Sequence, residues 1–457
     1  MNFIIPDKVN KIIEELRNYG FEAYAVGGCV RDMILGRSPQ DWDITTSATP
    51  LEVKSIFRRT VDTGIVHGTV TVLLDKDHFE VTTYRLDGEY EDNRHPKEVS
   101  FTSSLTEDLK RRDFTINAMA YNEIEGVIDL FGGMEDLQRG LIRCVGSAKE
   151  RFEEDALRIL RAVRFSAQLG FTIEEDTLKA VREKAENLKN ISAERIRVEL
   201  TKLLISDHPD RLRDLYNVGI TKVILPEFDV MMATEQKNIH HSYSVGEHTI
   251  RAVMEVGKDS KDRQFTEREK TLLRLTMLFH DIEKPSTLTV GKDGQNHFYG
   301  HQEKGALTAK NILRRLKFDN DTIQAVTHLV KWHDNRFGLT PSSMRKAVSK
   351  IGKEYMELLF EVQRADTSAK NPELTKEKYE IIAQARKLYE EILEREECVT
   401  LKELKVNGKD LIAIGIVPGK ELGEMLDLLL QKVLEDPQLN EKETLLQLII
   451  DKKNDKA

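Results

Sequence analysis

Apolar residues recur three and four positions apart at Val9, Ile12, Ile13 and Leu16, and Gly20 follows. This spacing predicts an amphipathic helix from Pro6 to Gly20. The period then changes. Ala23 to Val26 is a short apolar run ending at Gly27-Gly28, and Val30 to Leu35 reads as a helix closed by Gly36, giving strand, glycine turn and helix in succession. Asp41-Trp42-Asp43-Ile44-Thr45-Thr46 alternates polar and apolar residues with period two, as a half-buried strand would. Thr49-Pro50-Leu51-Glu52 carries a capping box with proline at the first helical position and opens another helix. Two further β-rich runs, Val70 to Leu74 and Phe79 to Thr83, flank the charged turn 75–78.

From about Ala148 onward helical periodicity takes over, with breaks near Pro209, Pro226, Pro285, Pro341 and Pro418. The pattern therefore predicts an α+β chain: a small mixed α/β head followed by a mainly α-helical neck, body and tail. The expected divisions are 1–145, 146–235, 236–375 and 376–457. At roughly 100–200 residues per domain, 457 residues can hold about three structural units, each with its own core.

Composition narrows the class. The chain is 40% hydrophobic and 32% charged, ordinary values for a globular protein. No apolar run approaches the roughly 20 residues that span a bilayer, and the N-terminus lacks a charged region followed by an apolar one. A cytoplasmic location and no membrane partner are expected. Cys29, Cys144 and Cys398 are scattered, which excludes a disulfide framework or a CxxC metal knuckle. The formal charge of −9 argues against a polybasic nucleic-acid coat, so any RNA binding is expected to be local.

The head carries candidate chemistry. Asp41 and Asp43 on one strand would face the same way, as paired hard ligands for divalent cations in phosphoryl transfer; a solvent-facing strand edge is the plainer alternative. Gly27-Gly28 ahead of a helix lets backbone N–H groups approach a phosphate, and Arg31 can clamp its oxygens. Glu80, on a later strand, is either a third acid near the metals or a cross-strand surface residue. The run 85–101 reads as a loop.

Val26-Gly-Gly-Cys-Val-Arg-Asp32 with Asp41-Trp-Asp-Ile-Thr-Thr-Ser-Ala-Thr-Pro50 resembles the head of class II tRNA nucleotidyltransferases, the family that includes CCA-adding enzymes and bacterial poly(A) polymerases. Arg111-Arg-Asp-Phe-Thr-Ile-Asn-Ala-Met-Ala120 resembles that family's second head motif, and Asp129-Leu-Phe-Gly-Gly133 the turn after it. The resemblance implies that Arg112, Asp113 and Asn117 help hold ribose and triphosphate. It also implies that the loop at 85–101 is associated with switching from C to A addition.

In the neck, Asp155 and Arg158 lie three apart on a helical segment; an ordinary intrahelical ion pair is one reading. The other lies in base edges. Cytosine and adenine each present an amino donor beside a ring-nitrogen acceptor, whereas uracil and guanine reverse that order, so an aspartate beside an arginine suits C and A. Glu154-Asp155-Ala-Leu-Arg158-Ile-Leu-Arg161 resembles the family's nucleotide-recognition signature, which implies that Glu154, Asp155 and Arg158 read the base with Arg161 nearby. Ala193-Glu-Arg-Ile-Arg-Val-Glu199 resembles the neck helix that follows.

Between 240 and 370 the order His248, His280-Asp281, His301, His333-Asp334, Asp366 is how a two-metal site is built from several helices, and it resembles an HD phosphohydrolase domain. Glu283 departs from that pattern, where many such domains carry glycine. If active, the domain would suit a phosphomonoester or 2',3'-cyclic phosphate. Val406-Asn-Gly-Lys-Asp-Leu411 and Gly415-Ile-Val-Pro-Gly-Lys-Glu-Leu-Gly423 resemble the family's C-terminal region, and the Pro418-Gly-Lys turn is either a contact for tRNA phosphate in a tRNA-binding tail or a plain interhelical turn. The expected activity is template-independent addition of CCA to tRNA from CTP and ATP, with Mg²⁺ as cofactor and a candidate second divalent site in the HD domain. An A-adding enzyme, a poly(A) polymerase and a metal-dependent phosphohydrolase are the alternatives.

Overall fold

The computed structural model describes residues 3–88, 99–236, 243–258, 263–292, 294–371, 373 and 375–454. The chain forms two compact units: Met1–Asp229 with Arg315–Lys317, and Val230–Arg314 with Phe318–Ala457.

The first unit begins with helix α1 (Asp7–Asn18), whose buried face is Val9, Ile12, Ile13 and Leu16. Strand β1 (Ala23–Val26) is wholly buried and runs into helix α2 (Gly28–Ile34) through Gly27. Strand β2 (Asp43–Thr46) and helix α3 (Pro50–Ile56) follow, and the Thr49–Glu52 capping box forms in both directions. Strands β3 (Thr60–Gly64), β4 (Thr69–Leu74) and β5 (Asp77–Thr83) complete one side of the sheet. A short antiparallel pair, β6 (Arg85–Asp87) and β7 (Val99–Phe101), brackets 89–98, so most of the expected loop lies outside the described residues.

Helix α4 (Leu105–Lys110), strands β8 (Met119–Asn122) and β9 (Gly126–Asp129) and helix α5 (Gly133–Arg139) close the head. The seven-stranded sheet has the order β3-β4-β5-β2-β1-β8-β9. All its pairings are antiparallel except β2 with β5. That parallel pairing sets Glu80 directly beside Asp43. Tyr24, Val26, Tyr84, Leu109 and Ala120 form a buried cluster within the head. Asp129 fixes the turn into α5 by accepting from the backbone N–H of Gly133 and Met134, both at 2.8 Å.

The helices after the head are α6 (Ala148–Glu154), α7 (Leu157–Leu169), α8 (Glu175–Lys184) and α9 (Ala193–Leu204), with α7 packed along α9. The expected unbroken helix through 154–161 is interrupted. Asp155 is extended (φ −133°, ψ 104°), and its carboxylate accepts the Leu157 N–H at 3.0 Å, which caps α7 and ends α6.

The second unit is a helical body. Its helices Val245–Glu255, Glu267–Phe279, Asn320–Trp332 and Lys353–Ser368 pack together, and helix His301–Arg315 approaches them at Gly305, beside Val330 and the His280 carbonyl. A two-stranded hairpin, Thr289–Val290 with Asn296–His297, leads into His301. The chain ends in helices Lys376–Glu394, Lys420–Glu435 and Lys442–Asn454, with Gly419 at φ 120° where Pro418-Gly-Lys enters the second of these.

Candidate active site

One cavity of about 520 Å³ in the first unit gathers Gly27, Gly28, Arg31, Asp41, Asp43, Arg112, Asp113, Asn117, Asp155, Arg158 and Arg161. Of the nucleotide-site candidates only Glu154 is absent from its walls.

The glycine turn is fixed by two independent constraints. Gly27 sits at φ 84°, which L side chains rarely adopt, and a Cβ there would meet the Arg112 guanidinium at 3.1 Å. The backbone carbonyl of Gly27 accepts the Arg31 N–H, so α2 starts beside the cavity that Gly27, Gly28 and Cys29 line, and its first amides have no helical partners.

Asp43 opens β2, whereas Asp41 lies two residues earlier in irregular chain, so their common orientation does not come from a shared strand. Both side chains are exposed at the cavity mouth. The protein around Asp43 still raises its carboxyl above the ordinary carboxylate range; Arg112 opposes this, and the Glu80 and Asp41 carboxylates add to it. Three acids crowded in this way favour a cation. Their oxygens are hard donors of the kind divalent Mg²⁺ takes.

Behind the mouth runs an ordered charge chain. Arg31 clasps Asp32 with two bonds of 2.9 Å and donates to the Asn117 amide oxygen at 2.7 Å. Asn117 donates to Asp113 at 3.1 Å, and Asp113 receives Arg161 at 2.8 and 2.5 Å. Burial alone would raise Asp113, but the Arg161 charge and hydrogen bonds win and bring it down to about 2. Arg164, brought down to about 10 by burial, is held by Glu199 at 2.6 Å and lies 3.6 Å above the Phe165 ring; Arg31 and Arg161 approach the same ring at 5.2 Å.

The neck residues take different partners from those the spacing suggested. The Asp155 carboxylate is clasped by Arg195 at 2.7 and 3.3 Å, and the Arg158 guanidinium donates to Glu154 at 2.5 Å and to the Arg111 carbonyl at 2.8 Å. Glu154 thus acts on the cavity through Arg158. Arg111, Arg164 and Arg195 were not singled out from sequence, because their roles depend on α9 and α4 folding back against α7, which no local spacing reveals.

A second constellation lies wholly in the second unit. His248, His280 and Asp281 form one buried group, and Asp281, His301 and His333 another, with ligand atoms within 4.8 Å in each. Asp281 belongs to both. Asp366 stands 3.0 Å from the His248 Nε2, and His280 and His333 occupy the ends of two helices just after Phe279 and Trp332. Every Nδ1 of His280, His301 and His333 meets a backbone carbonyl at 2.7 Å, which leaves each Nε2 facing the cluster. Asp281 and Asp366 stay well below the usual carboxylate range despite burial, Asp281 beside His280 and Lys284, Asp366 beside Lys370. His280 is pressed down by burial yet carried up to about 9 by the two carboxylates. Glu283 does not enter the cluster: it accepts from Thr308 at 2.6 Å and from Ser286.

The comparisons with known proteins agree along the chain. A "Poly A polymerase head domain" model matches residues 23–143, a "Probable RNA and SrmB- binding site of polymerase A" model matches 170–232, and a second-domain model of tRNA nucleotidyltransferases matches 304–449. The CCA-adding enzyme of Ligilactobacillus salivarius is 36% identical over 97% of this chain and 96% of its own. The chain belongs to the CCA-adding enzyme family. Against the CCA-adding enzyme of Lactiplantibacillus plantarum the identity is 57%, over 43% of this chain and about half (49%) of that enzyme. The crystal structure of the Bacillus stearothermophilus CCA-adding enzyme in complex with CTP is similar over 99% of both chains, at 29% identity and a TM-score of 0.73. Membership makes this chain a tRNA nucleotidyltransferase, whose fold implies dependence on a divalent metal. Among the described residues, no helix is long and apolar enough to cross a membrane.

Proposed function

We propose that this chain completes tRNA 3' ends by adding C, C and A from CTP and ATP in the cytoplasm, using the first-unit cavity as its single nucleotide site. The observation that carries the reading is the convergence in one cavity of a glycine turn, an exposed acid pair and the Asp155/Arg158 pair.

The roles follow from chemistry. The first amides of α2, Arg31 and Arg112 receive the triphosphate, and Asn117 and Asp113 hold ribose and set the position of Arg161. Asp41 and Asp43, with Glu80 alongside, would hold Mg²⁺, which when bound supplies neutralisation of triphosphate charge and activation of the attacking hydroxyl. Arg195 orients Asp155 as an acceptor for the exocyclic amino group, and Arg158 donates to the ring nitrogen. Uracil and guanine would put donor against donor and acceptor against acceptor. In this reading residues 1–145 form the head, 146–235 the neck, and 376–457 a tail whose Lys420 and adjoining amides meet tRNA phosphate.

The test is incorporation of labelled CTP and ATP, separately and together, into tRNAs ending before CCA, after C and after CC. Addition of C, C and one A, then a stop, is expected. Transfer only onto the CC-ending tRNA would instead make this an A-adding enzyme.

The second-unit constellation favours a second reading for 236–375, an HD-type metal site with phosphomonoesterase activity. The residues fit such a site: four imidazoles present Nε2, and the two carboxylates are ionised. Release of phosphate from p-nitrophenyl phosphate, dependent on added divalent metal and abolished by Asp281→Ala, is the expected result.

A further inference from the structure

The His/Asp cluster opens on a cavity of about 320 Å³ whose walls include Lys284, Arg336, Lys370 and Lys378 together with His297, Phe298 and Tyr299. Its cations suit an anion. Its aromatics are unexplained by metal binding. Tyr299 is 78% exposed, the ring of a residue that ordinarily buries its apolar body. It runs parallel to the His297 ring in an offset stack, with centroids 5.5 Å apart and planes only 9° apart. The hairpin Asn296–His297 and the turn at Gly300 (φ 72°) hold this stack two residues before His301. His301 belongs to the cluster, so the platform and the ligand share one short segment.

A flat, exposed aromatic face beside a cationic pocket is what an unpaired nucleobase stacks on when its phosphate is bound next door. A small phosphate ester has no use for it. We propose that His297 and Tyr299 form a base-stacking subsite, and that the second-unit centre takes a nucleotide carrying a terminal phosphomonoester. The base lies on Tyr299, and Lys370, Lys378 and Arg336 receive the phosphate oxygens. The reaction is hydrolysis: a water oxygen bonds to phosphorus, the phosphorus–ester oxygen bond breaks, and the departing nucleoside oxygen takes a proton, giving inorganic phosphate and a free hydroxyl. This inference rests on the phosphomonoesterase reading of the same centre, and Tyr299 is a specificity-determining residue within it.

The experiment compares full-length wild-type protein with Tyr299→Ala and Tyr299→Trp, loaded with divalent metal. Phosphate release is measured from adenosine 3'-monophosphate, from a short RNA ending in a 3'-phosphate, and from p-nitrophenyl phosphate. The ratio of kcat/KM for the nucleotide over that for p-nitrophenyl phosphate should fall roughly 5- to 150-fold in Tyr299→Ala, mainly through KM, and return in Tyr299→Trp. Preference between the free nucleotide and the RNA end identifies the natural source. Independently of turnover, 8-azidoadenosine 3'-monophosphate should photolabel the peptide containing 296–301 in the wild type. An unchanged ratio with no label on that peptide, while p-nitrophenyl phosphate is still hydrolysed, would overturn the subsite. Loss of all phosphate release with the label retained would instead overturn the phosphomonoesterase reading and leave the platform standing.

Discussion

The two acid-rich centres of this molecule solve opposite electrostatic problems. In the first unit Asp41 and Asp43 stand exposed at the mouth of an arginine-lined cavity, with Asp43 raised above its ordinary range. In the second, Asp281 and Asp366 are buried, surrounded by imidazoles and two lysines, and held well below theirs. An open acid pair whose charge is poorly compensated gains from cations that arrive with a triphosphate and leave with pyrophosphate. A buried cluster with its donors already converged suits ions that stay. On the proposed reading, the same residue type, aspartate, would serve metal exchange or retention according to burial and the chemistry of its neighbours.

The largest effect should come from the shared ligand. Asp281→Ala removes a donor from both clusters at once, and metal affinity of the second unit, measured by calorimetry, should fall more than roughly 100-fold, beyond what loss of an outer-shell partner costs. Retention of two ions would break the contrast with the head.

Next comes the chain behind the head cavity. Asp113→Ala leaves Arg161 without its main partner, and because Arg161 is part-exposed the cost should lie at the low end for breaking a buried pair, about 3 kcal/mol by denaturant unfolding. The native carboxyl titrates at about 2 against an ordinary 3.8, so native protein binds fewer protons. Its contribution is therefore full above 3.8 and lost as pH falls from 3.8 towards 2, a step that Asp113→Ala should abolish.

Gly27→Ala should cost about 1–3 kcal/mol from backbone strain and push Arg112 aside, raising KM for both CTP and ATP. The smallest effect has the opposite sign. Because Asp43 titrates above its ordinary value, native protein holds the proton more readily than unfolded chain, and ionisation costs stability as pH rises. In chelator at neutral pH, Asp43→Asn should raise Tm slightly, with the gain vanishing in acid. A lowered Tm would mean that Asp43 is held as a structural ion pair, like its second-unit counterparts.

Much of this was legible in the chain because it is local. The α1 stripe, the buried β1 run, the Thr49–Glu52 capping box and the GG turn each follow from a few adjacent residues, and the structure reproduces them within a residue or two. The order of histidines and aspartates likewise announced a cluster, since each sits on, or within two residues of, a helix that has to bury its apolar face. What period alone missed depends on long-range partners. Asp155 breaks the helix because its own carboxylate accepts the Leu157 N–H at the start of the next one, and the same carboxylate is clasped by Arg195, forty residues on. Asp41 falls outside its strand, and Glu80 reaches Asp43 only through a parallel pairing that the alternation of either strand does not disclose. Glu283 is turned away by Thr308, on a helix distant in sequence.

The claim that nucleotide transfer belongs to the head acids and is independent of the second-unit cluster is tested most directly by one crossed assay. Wild type, Asp41→Ala/Asp43→Ala and Asp281→Ala are each given a CC-ending tRNA with labelled ATP, and separately p-nitrophenyl phosphate. The head variant should lose transfer on the order of 10²- to 10³-fold while still releasing phosphate, and Asp281→Ala should do the reverse. Transfer surviving in the head variant, or lost in Asp281→Ala with the fold intact, would contradict the account.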